Sequence, residues 1–349
     1  MKKSLFPLFI IIFLSLIVQG QSNPDKDLFL TKSLAKETIR NVYARTSGGS
    51  IDVTGISTGE ARLEVYVRAN NTKNNTAPSK EELQRRLDED YELSISVTNN
   101  QLEVVAKKKT KNLDWKKQLN ISFQVFVPSD ISTDLQTSGG GIQLSDLSGT
   151  QNFNTSGGNL DLDKLKGKIN GKTSGGSIRV SNSSNDIYLK TSGGSIKASN
   201  CKGNIHLFTS GGSLTFNNLD GTIEAKTSGG SIYGNNIKGE LSTHTSGGGI
   251  DLQEMAGSID ASTSGGNIEV ALTQLGKHVK LSTSSGSIDL QVPDKQGLNL
   301  NLHASKIKTN ALTNFNGTKE DDEINGTLNG GGIPVNVKAV GGRVAIDFK

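Results

Sequence analysis

The chain has 349 residues, 41 of them glycine, with 33% hydrophobic and 5% aromatic content, one cysteine and a formal charge of +4. Glycine without a three-residue period excludes collagen, and Cys201 alone excludes a disulfide scaffold. Hydrophobic content this low, with Ile, Leu and Val spread along the whole length, calls for a thin core rather than for disorder or a polytopic membrane protein.

Residues 1–20 read as a secretory leader. Lys2 and Lys3 precede an apolar stretch from Leu5 to Val18, and Val18-Gln19-Gly20 sets small residues for cleavage before Gln21. Export would place the mature chain in the periplasm, on the cell surface or outside the cell, with no transmembrane segment left after cleavage. Losing two lysines leaves 36 basic against 34 acidic residues, a balance of +2 that implies no strongly charged partner for the chain as a whole.

Residues 21–136 are expected to form an irregular N-terminal cap and the first coils. Thr46-Ser-Gly-Gly-Ser-Ile-Asp-Val53 is an isolated copy of the motif that dominates later. Strands are predicted over Ala61–Ala69, Tyr91–Thr98, Leu102–Lys107 and Leu119–Val127, and Ser79-Lys-Glu-Glu82 is a capping box that opens a short helix through Leu83 and Leu87. Between the last two strands, Lys107, Lys108, Lys109, Trp115, Lys116 and Lys117 gather around the only tryptophan. Such a basic tip suits anionic lipid or glycan at the envelope; a solvated loop with Trp115 tucked onto the cap is the simpler competing reading.

Residues 137–290 carry Thr-Ser-Gly-Gly at Thr137, Thr155, Thr173, Thr191, Thr209, Thr227, Thr245 and Thr263, a spacing of 18 residues repeated seven times; Thr-Ser-Ser-Gly follows 20 residues later at Thr283. A fixed period means stacked units that cannot bury their faces alone. With Thr as position 1, position 6 is always Ile or Leu from Ile142 to Ile268, position 8 is mostly apolar, and positions 15 and 17 repeat that pair nine residues on. Apolar residues two apart are strand alternation. The prediction is an all-β, single-stranded parallel β-solenoid of two-sided 18-residue coils, turning on Ser-Gly-Gly and on a glycine at position 13. Eight such coils at ~4.8 Å per rung make a rod of roughly 38 Å. Cys201 falls at position 11, an aliphatic corner position, and reads as an inert buried thiol. Residues 291–349 lose the rhythm, and Gly341 to Phe348 is expected to close the end of the ladder.

Positions 16 and 18 point outward, so one group would sit on adjacent rungs: Tyr188, Lys190, His206, Phe208, Glu224 and Lys226. Aromatic faces beside charged hydrogen-bonding groups suit carbohydrate, although an ordinary polar sheet face accounts for the same residues. The outward acids Asp161, Asp251, Glu269 and Asp289 are scattered along position 7 and form no glycosidase dyad. His206, His244, His278 and His303 lack metal-ligand spacing, and no cofactor motif is present. Calcium-binding β-rolls carry an Asp in each glycine-rich turn, whereas these turns carry hydroxyls that should bond to neighbouring turns. No nucleic-acid module occurs.

The iterated T-S-G-G-x-I-x-[LV], preceded by Phe123-Gln-Val-Phe-Val-Pro128, resembles the bacterial putative-adhesin domains of unknown function found in envelope proteins, over roughly residues 40–349. The resemblance implies an envelope or surface β-solenoid and carries over no catalytic residue. The expected function is therefore non-enzymatic: an exported adhesin, or a cell-envelope binding or structural protein, that presents its repetitive ladder to a glycan, an envelope component or a surface protein. A polysaccharide-active enzyme working near Tyr188, His206 and Glu224 is the alternative.

Overall fold

The computed structural model describes residues 28–70, 78–110, 114 and 117–349. The leader, and Trp115 and Lys116 of the basic tip, lie outside the described residues.

Four strands come first: β1 (Leu28–Ser33), β2 (Asn41–Arg45), β3 (Ile51–Ile56) and β4 (Arg62–Ala69). Helix α1 (Lys80–Asp90) begins at the capping box, where Ser79 Oγ accepts the Glu82 N–H at 3.3 Å. Strands β5 (Tyr91–Thr98), β6 (Gln101–Lys108), β7 (Leu119–Pro128) and β8 (Ser132–Gln136) follow. The strands predicted for this region agree with β4 to β7 within one residue at each end.

The repeats then supply a short and a longer strand each: β9 (Ile142–Ser145), β10 (Ser148–Asn154), β11 (Leu160–Asp163), β12 (Lys166–Lys172), β13 (Ile178–Ser181) and β14 (Ser184–Lys190). From Ile196 the two run together as β15 (Ile196–Phe208), β16 (Leu214–Lys226), β17 (Ile232–Thr245), β18 (Ile250–Thr263) and β19 (Ile268–Thr283). The chain ends with β20 (Ile288–Val292), β21 (Leu298–Thr309), β22 (Phe315–Lys319), β23 (Glu323–Leu328) and β24 (Ile333–Phe348).

Successive repeats pair in parallel with residues 18 positions on: Ile187 faces Ile205, and Ile205 faces Ile223. Two backbone features bend each repeat between its strand segments. Position 10 is left-handed at Asp146, Lys164, Asn182, Asn200, Asn218, Asn236 and Glu254, and position 13 has positive φ at its glycines and at Asn185. Asn tolerates the left-handed region because its short amide bonds locally. Here those amides form a ladder, Asn200 Nδ2 donating to Asn182 Oδ1 at 3.1 Å and Asn218 Nδ2 to Asn200 Oδ1 at 3.0 Å.

The Ser-Gly-Gly turns stack as well. The position-3 N–H donates to the position-2 carbonyl of the rung before, as from Gly211 to Ser192 at 2.9 Å. The repeat threonine is buried in every copy; Thr209 Oγ1 donates to Gly194 O at 2.7 Å and accepts the Gly212 N–H at 3.3 Å. The hydroxyls are thus spent between neighbouring turns, as expected.

Rows 6, 8, 11, 15 and 17 fill the core, with Ile196, Cys201, Ile205 and Leu207 all at 0% exposure. Where a row breaks, a neighbour compensates: a Cβ on Gly171 would meet the Phe153 ring at 2.1 Å, and one on Gly234 would meet the Leu252 side chain at 2.6 Å. Gln151 replaces the usual aliphatic at position 15 and is satisfied by Thr133 and by Ile131 O at 2.7 and 2.8 Å. Burial pushes the Cys201 thiol pKa up, and its Sγ donates to Ser199 O, which fits the inert reading.

The flanks depart from a plain parallel coil. The Thr46 copy is itself a rung, because β3 pairs β9 in parallel and β2 pairs β8. The strand that leads into the repeats in sequence, β7, lies on the far side of β3. Beyond it β4 is antiparallel to β7 and β1 to β4, while β5 is antiparallel to β6. At the other end β24 lies parallel to β19, β20 and β21, its residues Val344 to Phe348 pairing with Ile288 to Val292 of β20. Strand β23 is antiparallel both to β21 and to β22. The two extra residues of the 20-residue step are taken up as register shifts between β18 and β19. Among the described residues no helix is long and apolar enough to cross a membrane.

Candidate functional site

Parallel register brings the predicted outward residues together. Tyr188 on β14 lies beside His206 on β15, which lies beside Glu224 on β16; Lys190, Phe208 and Lys226 form the next row on the same strands. Ring centroids are 5.6 Å apart for Tyr188 and Phe208, 6.4 Å for Tyr188 and His206, and 6.3 Å for His206 and Phe208. Three rings from two adjacent strands make an aromatic platform open to solvent, on which Tyr188 is 37% exposed.

The platform is flanked by a charge network. Glu224 Oε2 lies 2.9 Å from His206 Nδ1, and Lys226 Nζ donates to Glu224 Oε1 at 2.5 Å. The Lys226 hydrogen bond first, and the His206 contact second, hold the Glu224 carboxyl below its usual range. A carboxylate held ionised accepts hydrogen bonds from ligand hydroxyls and is poorly suited to donating a proton.

The structure adds residues that the sequence reading did not single out. An open depression of about 510 Å³ lies against Tyr188 and His206 and is lined by Lys168, Asn170 and Lys172 of β12, with Asp186 and Asn204 at its side. Lys172 Nζ sits 5.8 Å from the Tyr188 ring centroid, and Asn204 Nδ2 donates to Asp186 Oδ1 at 2.9 Å. The period already carries the signal: Lys168, Asn170 and Lys172 occupy positions 14, 16 and 18 one strand before that group, and Asp186 and Asn204 occupy position 14 on its own strands.

Asp52 is a second omission. It stands at position 7 of the Thr46 copy, between Gln124 and Gln143 on the neighbouring strands. Burial raises its pKa from 3.8 to about 6, against the lowering effect of a hydrogen bond from Gln124.

The basic tip is only partly gathered. Lys107 and Lys108 end β6 opposite Glu92 and Tyr91. Lys109 turns back to α1, its Nζ donating to the Asp88 carbonyl near the helix C-terminus, where a cation is favoured. Lys117 is exposed beyond Asp114, whose carbonyl accepts its N–H at 2.9 Å.

No curated protein matches this chain. Among solved structures it is similar to a putative cell adhesion protein from Clostridium sporogenes, at 13% identity over 92% of this chain and 98% of that one, with a TM-score of 0.20. It is also similar to putative adhesins from Parabacteroides merdae, at 15% identity over 76% of this chain and 97% of that one (TM-score 0.39), and Bacteroides fragilis, at 15% over 93% and 99% (TM-score 0.25). The family model described as Toastrack DUF4097 matches residues 33–347, and the chain belongs to that family.

Proposed function

We propose that this chain, a two-sided β-solenoid of 18-residue coils, is exported and works as a non-enzymatic, adhesin-type binding protein of the cell envelope, taking carbohydrate on the face built by Tyr188, Lys190, His206, Phe208, Glu224 and Lys226. The observation that carries the reading is the platform of three rings on adjacent rungs, with the Glu224 network beside it. Sugar C–H faces stack on aromatic rings while their hydroxyls bond to flanking charged groups. A flat face with one ionised, doubly engaged carboxylate supports binding over glycoside cleavage, which requires an acid and a second carboxylate in opposed positions. The leader-like residues 1–20 support export, and the lysines at 107–109 and 117 are a second, weaker contact toward an anionic envelope surface.

The test is retention of the chain lacking residues 1–20 on immobilised envelope and host glycans, compared with the Tyr188→Ala/Phe208→Ala variant. Retention should fall about tenfold or more in the variant, at unchanged melting temperature, since each stacked ring contributes about 0.5–1.5 kcal/mol beyond its area. Cleavage of any of these glycans with turnover, abolished by His206→Ala or Glu224→Ala, would replace this reading with the enzymatic one.

A further inference from the structure

The outward side chains around Tyr188 form a registered grid. Lys168, Asn170 and Lys172 alternate along β12; Asp186, Tyr188 and Lys190 lie beside them on β14; Asn204, His206 and Phe208 continue the rows on β15. Charge in this grid is unevenly distributed. Lys226 at the edge of this face, and Lys164 and Lys280 elsewhere on the repeats, pair with carboxylates at 2.5, 3.5 and 2.9 Å, whereas Lys166, Lys197, Lys202, Lys238 and Lys277 make no ion pair among the described residues but are not gathered beside an exposed ring. Lys168, Lys172 and Lys190 make no ion pair among the described residues, and Lys172 instead points its ammonium at the Tyr188 ring. The one carboxylate in the grid, Asp186, is engaged by Asn204. Three lysines against one aspartate leave 3 − 1 = +2 around the ring. Glu224 at the far edge adds no repulsion of its own, because Lys226 and His206 already hold it.

The depression also continues. A second hollow of about 230 Å³ shares Asn170 and Lys172 with it and extends across Asn152 and Asn154 to Arg45 and Asp134, which pair with each other at 2.8 Å and leave that end without net charge. The two together make a trough that crosses the strands, stepping one rung of ~4.8 Å at a time. A pyranose in an extended chain is close to one rung in length, so a trough of this kind fits an oligomer rather than a single sugar.

We infer that the ligand of this face is an acidic polysaccharide, carrying carboxylate or sulfate groups, with Tyr188 stacking on one sugar and Lys168, Lys172 and Lys190 pairing with the acidic groups around it. The inference rests on the carbohydrate reading above and adds the chemical class. Unpaired ammoniums on an exposed face cost nothing to break free from other partners, and they draw an anionic chain in from a distance.

The test measures binding of the chain lacking residues 1–20 to polygalacturonate, dextran sulfate and neutral dextran, with a thymidine oligonucleotide as a polyanion that is not a glycan, at low and at physiological salt. One or both acidic glycans should bind about tenfold tighter than neutral dextran, with affinity falling as salt rises. The carboxylate and sulfate arms show which acidic group is preferred. In the triple variant Lys168→Ser/Lys172→Ser/Lys190→Ser the acidic preference should fall by about tenfold while residual neutral binding stays, and Tyr188→Ala should weaken both. All three lysines are on the surface, and an unchanged melting temperature certifies the variants. Equal binding of neutral and acidic glycans, unmoved by the triple variant, overturns the acidic class and leaves the carbohydrate reading standing. Retention of no glycan overturns both. Oligonucleotide binding as tight as dextran sulfate, and indifferent to Tyr188→Ala, shows unspecific polyanion adsorption and also overturns the inference.

Discussion

The two glycines of Thr-Ser-Gly-Gly look alike in sequence and differ in what surrounds them. A Cβ at position 4 would fall 2.1 Å from the carbonyl oxygen of the rung before, as at Gly212 against Gly194, whereas at Gly211 in position 3 the nearest atom is 3.4 Å away. Thr283-Ser-Ser285-Gly286 agrees, since it replaces only position 3. Gly212→Ala should therefore lower stability by about 2–3 kcal/mol and Gly211→Ala by under about 1, read by thermal or urea unfolding. Asp52 carries a pH dependence of definite sign. Its carboxyl is raised to about 6 from 3.8 by burial, so the fold favours the protonated form. That contribution is full below the unfolded value and is lost as pH rises through about 6. Asp52→Asn should match the parent below pH ~4 and exceed it by about 1–2 kcal/mol at pH 7, a figure reduced for the solvent that still reaches this half-buried group. Urea unfolding of both proteins at the two pH values decides it, and a variant no more stable at pH 7 contradicts the burial argument. The sequence contains Asp52 at position 7 but not its desolvation, which comes from strands β7 and β9 closing on either side.

Each repeat is bent by two left-handed or positive-φ corners, and the one at position 10 is a property of the element rather than of any residue. In the middle of the ladder Asn218 both donates to Asn200 and accepts from Asn236 Nδ2 at 2.6 Å. Asn218→Ala removes these bonds and leaves an alanine in the left-handed region, at about 1–2 kcal/mol for the backbone alone. Asn218→Gly loses the bonds but keeps an unstrained corner, so its melting temperature should fall by less; the reverse order would contradict a left-handed strain at this corner, since both variants lose the same side-chain bonds. The candidate site is likewise an element-scale object. Tyr188, His206, Phe208 and Glu224 are legible together because parallel register follows directly from the 18-residue period. Their distances, the hold of Lys226 and His206 on Glu224, and the depression beside Lys168 and Lys172 depend on side-chain rotamers that no spacing reports.

At the scale of the molecule, a ladder of equivalent rungs should tolerate loss of a whole rung and no fraction of one. Deleting residues 227–244 joins Lys226 to Thr245, brings β16 against β18 in unchanged register and spares the Tyr188 face. This variant should unfold cooperatively, with a melting temperature within a few degrees of the parent, because solenoid stability is close to a sum over repeats and their interfaces. Deleting only residues 227–235 shifts the following rungs by half a coil, sets strand segments against turns and should give a chain without a cooperative transition by circular dichroism. If both variants melt alike, the 18-residue unit is not the unit of packing.

The sequence by itself determined the all-β class, the period, the inward rows, the turn and the pairing of each repeat with the next, because all of these follow from a local pattern repeated without interruption. It also determined the capped helix, whose signal lies within Ser79 to Glu82. Only the tertiary structure decided where the Thr46 copy belongs. Some 90 residues separate it from the rung it joins, and β4 to β7 fold back between, so that β7 packs outside β3 rather than leading into the repeats. The same holds at the far end, where β24 completes the rung of β20 across the β21 to β23 excursion. Local chemistry sets an 18-residue period, whereas closing the two ends of the ladder pairs strands far apart in the chain, and no period in the sequence encodes that choice.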